Sequence, residues 1–579
     1  MSAATRLLRR GIGLPSPRAP RVRVVRDVAV PMPDGAVLRH DHHRPVGVDR
    51  GPVVLVRSPY GRAGWVGTVF GRLVAERGYQ VVVQSVRGTA GSEGELSPFD
   101  EADDGVATVR WLVAQPWCDG RLATLGPSYL GITQWALAPE AGDALRAMGT
   151  LVTASQFRDQ TYPGGAFSLD NALSWAAMMT HPGLGERLVE AVRHRVQAGF
   201  GTVPLSQADL VAAGTPIDFF QDWLREDDPD SAYWAKRSYA ARVGEVGRRG
   251  VAVSMTGGWQ DIFLPWQLAD HAALRAAGAR PLLRIGPWVH TTPAGMAAGI
   301  RDALRTFDET FGHAGQTGAV PDDGARVLLE LSGGGGERRL ADWPPQHTTE
   351  RAFYLRTDHG LGTEAPTFPT RGDAADMGRA PLRSVSPDPG RAPLRSVSPY
   401  WAGTRIVYDP QDPTPAVGGP ILSGRSGPRD QTALEARDDV VVFTGPVLDA
   451  DVVAVGPARA TVHVRAEVEH LDVFVRVCDV DPAGRSVNVT DGIRRIRPGA
   501  PAAAEDGTVA VDVELWPVGH RFAAGHRIRV QVSGGAHPRF ARHTGTGAPL
   551  GDGRVLVARE REILHDAAHP SHVVLPVEG

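Results

Sequence analysis

The sequence predicts an α/β domain on a mostly parallel sheet, interrupted by a helical insertion and followed by an all-β sandwich. Three observations carry this. Short β-branched runs at 53–57, 80–84, 122–125, 148–152, 251–255 and 282–285 alternate with helical patterns such as 66–77 and 102–114, and such alternation feeds a parallel sheet covered on both faces. From 156 to 246 the strand runs give way to helical stretches rich in Trp, Phe and Ala. After Trp343-Pro344-Pro345 the helical signal fades, and runs at 440–443, 460–468, 473–477, 509–515 and 528–532 alternate in the manner of strands between Gly, Pro and Asp turns.

These patterns divide the 579 residues, too many for one core. Residues 1–21 lack an uninterrupted apolar run, since Leu7-Leu8 meets Arg9-Arg10, and are expected to form a disordered leader rather than a signal peptide. The α/β domain takes 22–155 and 246–345, the insertion at 156–245 forms a cap of the kind that covers substrate sites, and the sandwich takes 346–579. A ten-residue repeat at 378–387 and 390–399 is rich in Pro, Ser and Arg and reads as a duplicated surface loop.

Composition narrows the function. A formal net charge of −3 supplies no field for nucleic acid or an anionic membrane, and no stretch approaches the ~20 consecutive apolar residues of a membrane span. Cys118 and Cys478 lie far apart without metal-ligand spacing, which points to two buried free thiols and a reducing, cytoplasmic compartment. The glycine run at 333–336 lacks the Lys and Ser/Thr of a phosphate loop, and Asp103-Asp104-Gly105 continues into a helix. No metal and no cofactor is expected.

The strongest local signal is Leu125-Gly126-Pro127-Ser128-Tyr129-Leu130-Gly131, between a predicted strand and a helical stretch at 132–138. A strand, a sharp turn and a helix are what an α/β-hydrolase nucleophile elbow requires, because small neighbours let the turn expose the serine hydroxyl. The second glycine stands three residues after Ser128 instead of two, and a plain capping serine remains the alternative. A serine needs a base, itself oriented by a carboxylate. In this fold they follow late strands in the order Asp, then His. The run at 251–255 leads to Asp261 and the run at 282–285 to His290; each alone is equally a polar loop residue. The backbone N–H of Tyr129 is one candidate oxyanion donor. The loop Ser58-Pro59-Tyr60-Gly61 places the Tyr60 hydroxyl as the other, or as a turn tyrosine packed under the sheet.

Ser58-Pro59-Tyr60-Gly61, Arg87-Gly88 through Gly91-Ser92-Glu93-Gly94, Gln115-Pro116-Trp117-Cys118, Gly126-Pro127-Ser128-Tyr129-Leu130-Gly131, Gly257-Gly258-Trp259-Gln260-Asp261 and Gly286-Pro287-Trp288-Val289-His290 together resemble the bacterial cocaine esterase family, the CocE/NonD hydrolases. That family is related to X-prolyl dipeptidyl-peptidases and α-amino-acid ester hydrolases. The resemblance covers nearly the whole chain after the leader. Tyr162-Pro163-Gly164-Gly165-Ala166-Phe167 and Ser174-Trp175 resemble its cap; Tyr408-Asp409-Pro410, the region of Phe522 and Gly525-His526-Arg527 resemble its C-terminal jelly roll. It implies Ser128 as nucleophile, His290 as base, Asp261 as orienting carboxylate, and Tyr60 and Tyr129 as the oxyanion hole. Relatives of this kind are often dimers, so a homodimer is an open expectation.

Substrate charge separates the branches. Recognising an α-ammonium requires nearby carboxylates, and here Asp261 is followed by Ile262-Phe263-Leu264-Pro265-Trp266. The expected substrate is therefore a small-molecule carboxylic ester with a neutral, hydrophobic or aryl acyl group. It would be cleaved through an acyl-enzyme, with Tyr162, Trp175 and Phe263 as pocket walls or as packing between cap and domain. Asp170 keeps an amine-binding alternative, an X-Pro dipeptidyl-peptidase or an α-amino-acid ester hydrolase or acyltransferase, in play. A non-catalytic binding protein on the same fold is the alternative of another class.

Overall fold

The computed structural model describes residues 3–180, 186–313, 324–368, 403–422, 424–466, 470–497 and 501–579. The repeat at 378–387 and 390–399 lies outside them. The first sheet has ten strands: β1 (Val22–Pro31), β2 (Val37–Pro45), β3 (Gly51–Ser58), β4 (Gln80–Ser85), β5 (Cys118–Pro127), β6 (Leu145–Leu151), β7 (Ala252–Gln260), β8 (Leu282–Val289), β9 (Val327–Leu331) and β10 (Gly336–Leu340). Their order is β1-β2-β4-β3-β5-β6-β7-β8-β9-β10. Strands from β4 to β9 run parallel, while β1, β2 and β10 pair antiparallel with their neighbours.

The valine-rich β3 and β4 are buried along their whole length, as expected for strands with helices on both faces. Apolar clusters fill both sides of the sheet, one around Trp135, Met148 and Met255 and the other around Phe70, Leu130 and Phe307. The chain passes from β3 outward to β4 and returns to β5 on the other side of β3. The loops after β3 and β5 therefore meet at the carboxyl edge, where such sheets build their sites.

The N-terminal segment corrects the expectation of a disordered leader. Ala3–Ile12 is a helix, and Ile12 and Leu14 are buried in the cluster containing Phe307 and Phe311. The Arg301 guanidinium donates to the Ile12 carbonyl at 2.7 Å, and the Thr5 hydroxyl donates to Glu76 at 3.0 Å. The segment is held by these tertiary contacts.

The insertion is helical as expected, with Leu169–Met179, Glu186–Phe200 and Asp218–Arg225 among its helices. It touches the C-terminal domain at Gly164, where φ is +57° and a Cβ would lie 1.8 Å from the Ile493 carbonyl oxygen. Only glycine fits that approach. The C-terminal domain is the expected β jelly roll. A seven-stranded and a four-stranded sheet enclose a core of residues such as Val462, Val475, Val513 and Val530. Its long Val452–Ala466 strand pairs with Thr508–Phe522. The glycines at 333–336 form the β9–β10 turn and the start of β10. Cys118 and Cys478 are buried free thiols, in β5 and in the Leu471–Val480 strand of the jelly roll. Among the described residues, no helix is long and apolar enough to cross a membrane.

Candidate active site

Ser128 occupies the turn between β5 and the helix Tyr129–Leu137, with φ 53° and ψ −124°. A non-glycine residue in such a region costs about 1–3 kcal/mol and persists where surrounding contacts over-determine it. Here the Ser128 N–H donates to the Leu151 carbonyl at 2.9 Å, and its carbonyl accepts from the Thr153 hydroxyl at 2.8 Å. The displaced glycine of the sequence pattern has a physical reason. A Cβ on Gly131 would lie 2.2 Å from Thr153 Cγ2, so this position, rather than 130, is where the helix comes closest to the segment after β6.

Asp261 directly follows β7 and His290 directly follows β8. His290 Nε2 lies 3.0 Å from Ser128 Oγ, and His290 Nδ1 lies 2.7 Å from Asp261 Oδ2. With the Nδ1 proton donated to Asp261, Nε2 is an acceptor facing the serine hydroxyl. Asp261 is fully buried, and its other oxygen, Oδ1, accepts from the Phe263 N–H at 2.8 Å. A serine, an imidazole and a carboxylate in this line can move the hydroxyl proton onto the ring while the carboxylate holds ring and tautomer. The three expected residues thus come together from three strand ends.

Tyr129 begins its helix, and its backbone N–H has no acceptor within the helix. Its side chain turns inward, where the hydroxyl donates to Glu101 at 2.7 Å. Glu101 in turn is paired with Arg57 at 2.9 Å. Burial raises the Tyr129 phenol well above its ordinary value, and Glu101 adds to the effect. Tyr60 follows β3, and its hydroxyl accepts from the Trp175 indole N–H at 3.1 Å. Burial pushes the Tyr60 phenol up to about 12, against the pull of the Trp175 bond. It therefore keeps its proton at neutral pH and can donate it.

A cavity of about 420 Å³, mouth included, opens on Ser128. Trp175 and Phe263 line it, joined by Phe99, Phe157, Trp223 and Leu422. The Trp175 ring stacks on Tyr129 with centroids 5.6 Å apart and planes 8° apart, and Phe99 stacks on Phe157 at 3.6 Å. Gln160, Ser168 and Asn171 are its polar fringe; none of the lining residues carries a charge.

Two expectations are corrected. Tyr162 does not line this cavity; its ring is buried beside Phe167 and its hydroxyl donates to the Trp223 carbonyl, so it braces a wall from behind. Asp170 is committed to an interface: its Oδ1 and the Asn171 Oδ1 each accept from the Leu422 N–H at 3.1 Å. Phe99, Phe157, Trp223 and Leu422 were not foreseen. Phe99 carries a signal of sorts in its Ser97-Pro98-Phe99 loop, but Leu422 carries none, because it arrives from the C-terminal domain.

Two family models match the chain. Residues 34–292 fit the X-Pro dipeptidyl-peptidase (S15 family) model, and 319–574 fit the X-Pro dipeptidyl-peptidase C-terminal non-catalytic domain. The second begins upstream of β9 and β10, which the structure places in the first sheet. The cocaine esterase of Rhodococcus sp. (strain MB1 Bresler) is 30% identical, over 96% of this chain and 98% of that protein. An aminopeptidase from a marine sediment archaeon (Thaumarchaeota archaeon) superposes with a TM-score of 0.76 at 20% identity, covering 96% of this chain and 97% of the other. An α-amino acid ester hydrolase superposes at 0.75 and 22%, covering 96% of each. At these identities the two structures speak for the fold alone.

Fold and relatives together define a serine hydrolase acting on ester bonds. Within that class the chain belongs to the CocE/NonD family, whose members are built as an α/β-hydrolase domain followed by a β-rich C-terminal domain.

Proposed function

We propose that the protein cleaves a carboxylic ester with a neutral, hydrophobic or aryl acyl group through an acyl-enzyme. Ser128 Oγ attacks the carbonyl carbon as its proton passes to His290 Nε2, with Asp261 holding the ring. The tetrahedral oxyanion is held by the Tyr60 hydroxyl and the Tyr129 N–H. Collapse breaks the ester bond, and His290 returns its proton to the leaving alkoxide. Water then repeats the sequence on the acyl-serine and releases the acid.

The observation that carries the acyl preference is the aromatic, uncharged lining around Ser128. An α-ammonium group buried there would find no carboxylate among the lining residues, an uncompensated cost. Asp170, an acidic residue of the cap, is not among the lining residues, and its Oδ1 accepts from the Leu422 N–H.

A fluorophosphonate should label Ser128 covalently. An ester panel varying acyl size and charge, run on wild type and Ser128→Ala, should favour neutral aryl or alkyl acyl groups and lose turnover in the variant. Unlabelled Ser128, or faster cleavage of an X-Pro arylamide than of any aryl ester, would overturn the reading.

A further inference from the structure

The loop bearing Asp261 is held from outside its own domain. The Trp516 indole N–H donates to the Asp261 backbone carbonyl at 2.9 Å, and the Gln260 side-chain amide donates to the Val489 carbonyl at 2.6 Å. Trp516 belongs to the strand Thr508–Phe522 and Val489 to Ser486–Ile496, both in the jelly roll. From the loop's own side, the Leu264 N–H reaches the same Asp261 carbonyl only at 3.4 Å, beyond the usual range for a good hydrogen bond.

Trp516 is itself closely held. The Thr490 hydroxyl donates to its carbonyl at 2.5 Å, the Arg539 guanidinium lies 4.9 Å over its ring, and Trp266 meets it edge-on at 5.7 Å. Arg539 is fixed by Asp491, which also pairs with the buried Arg476 at 2.9 Å. A rigid chain of contacts therefore runs from the core of the C-terminal domain to the backbone of the residue that orients His290.

We propose that Trp516 is a positioning residue for ester hydrolysis, through which the C-terminal domain sets the orientation of Asp261 and, through it, of His290. This rests on the Ser128–His290–Asp261 reading above. Trp516 is not among the residues that line the cavity, so its effect is expected on the chemical step rather than on substrate binding.

The test uses the full chain. Trp516→Phe keeps an aromatic ring between Arg539 and Trp266 and loses the indole N–H together with the volume of the second ring. On an aryl ester, kcat is expected to fall about tenfold, with KM within about twofold, after normalising to active sites titrated with a fluorophosphonate. Because Trp516 acts through Asp261, adding Trp516→Phe to Asp261→Asn is expected to cost nothing further. Thr490→Val, which removes the anchor on the Trp516 carbonyl, is expected to lower kcat in the same sense by a smaller factor. If Trp516→Phe does not fold, Thr490→Val carries the test, and wild-type kcat in it overturns the proposal. So does wild-type kcat in Trp516→Phe, a loss confined to KM, or full additivity with Asp261→Asn. Wild-type kcat in Asp261→Asn overturns the triad reading instead, and so separates the two failures.

Discussion

The indole N–H of Trp175, on an inserted helix, donates to the hydroxyl of Tyr60, on the loop after β3, at 3.1 Å. That bond occupies a lone pair of the phenol oxygen and leaves its proton free to point elsewhere. The same indole stacks on Tyr129, the residue after Ser128. One cap side chain thus touches both residues proposed to hold the oxyanion.

Tyr60→Phe is therefore expected to lower kcat by about 10²–10³, the usual cost of one oxyanion donor, with little change in KM. Trp175→Phe keeps an aromatic ring but loses the N–H, and is expected to cost less than Tyr60→Phe. Combined with Tyr60→Phe it should add little through the lost N–H, since the partner oxygen is gone. Steady-state kinetics on the two single variants and the double check this. Wild-type kcat in Tyr60→Phe would remove Tyr60 from the mechanism.

Gly131→Ala places a methyl 2.2 Å from Thr153 Cγ2, and the Thr153 hydroxyl holds the Ser128 carbonyl. Overpacking of this kind typically costs about 1–3 kcal/mol, and relieving it moves a contact that over-determines the strained serine. The expected result is a lower urea midpoint together with a lower kcat. A variant matching wild type in both measurements would show that the helix can shift without disturbing the turn.

Acid is expected to weaken the fold well before ordinary carboxylates titrate. Burial pushes His40, His42, His43, His271, His537 and His543 down to about 4. Once unfolded, each returns towards 6.5, so between about pH 6.5 and 4 the unfolded chain binds more protons and stability falls as pH falls. Asp270, buried and raised to about 7, works in the opposite direction over about pH 4 to 7. Glu101, also raised by burial, acts with Asp270, whereas burial lowers His313, His463 and His565 as well, so the lowered histidines outnumber the raised carboxyls. Urea unfolding at pH 7.5 and 5.0 should show a clear loss at the lower pH, and equal stability at both would contradict the buried, neutral state of these rings.

Much of the architecture was legible because its strands are buried on both faces. The runs at 53–57, 80–84, 122–125, 148–152, 251–255 and 282–285 fall on β3 to β8, with β6 ending one residue before its run does and β7 starting one residue after its run begins. Ser128, Asp261 and His290 could be picked out because each stands at the end of such a run. The Ala3–Ile12 helix was not legible although Ala4, Leu8 and Ile12 recur every four residues, because the arginines between them mask the short apolar stripe. Nor were β9 and β10, whose partners are set by the sheet edge rather than by their own pattern. The cavity walls were half legible. Trp175 and Phe263 lie beside recognisable motifs, whereas Leu422 reaches the cavity, and Trp516 the Asp261 carbonyl, across a domain boundary that no local pattern records.

Leu422 has a consequence for anyone who would transplant substrate preference between relatives. Its backbone N–H is shared by Asp170 and Asn171, so the cap and the C-terminal domain build that wall of the cavity as one unit. Grafting a foreign cap onto this chain would change the side-chain acceptors that meet that amide, and exchanging the C-terminal domain would have to bring a backbone N–H to the same point. Recombination should respect the pair and move the two segments together, as a single inheritable block.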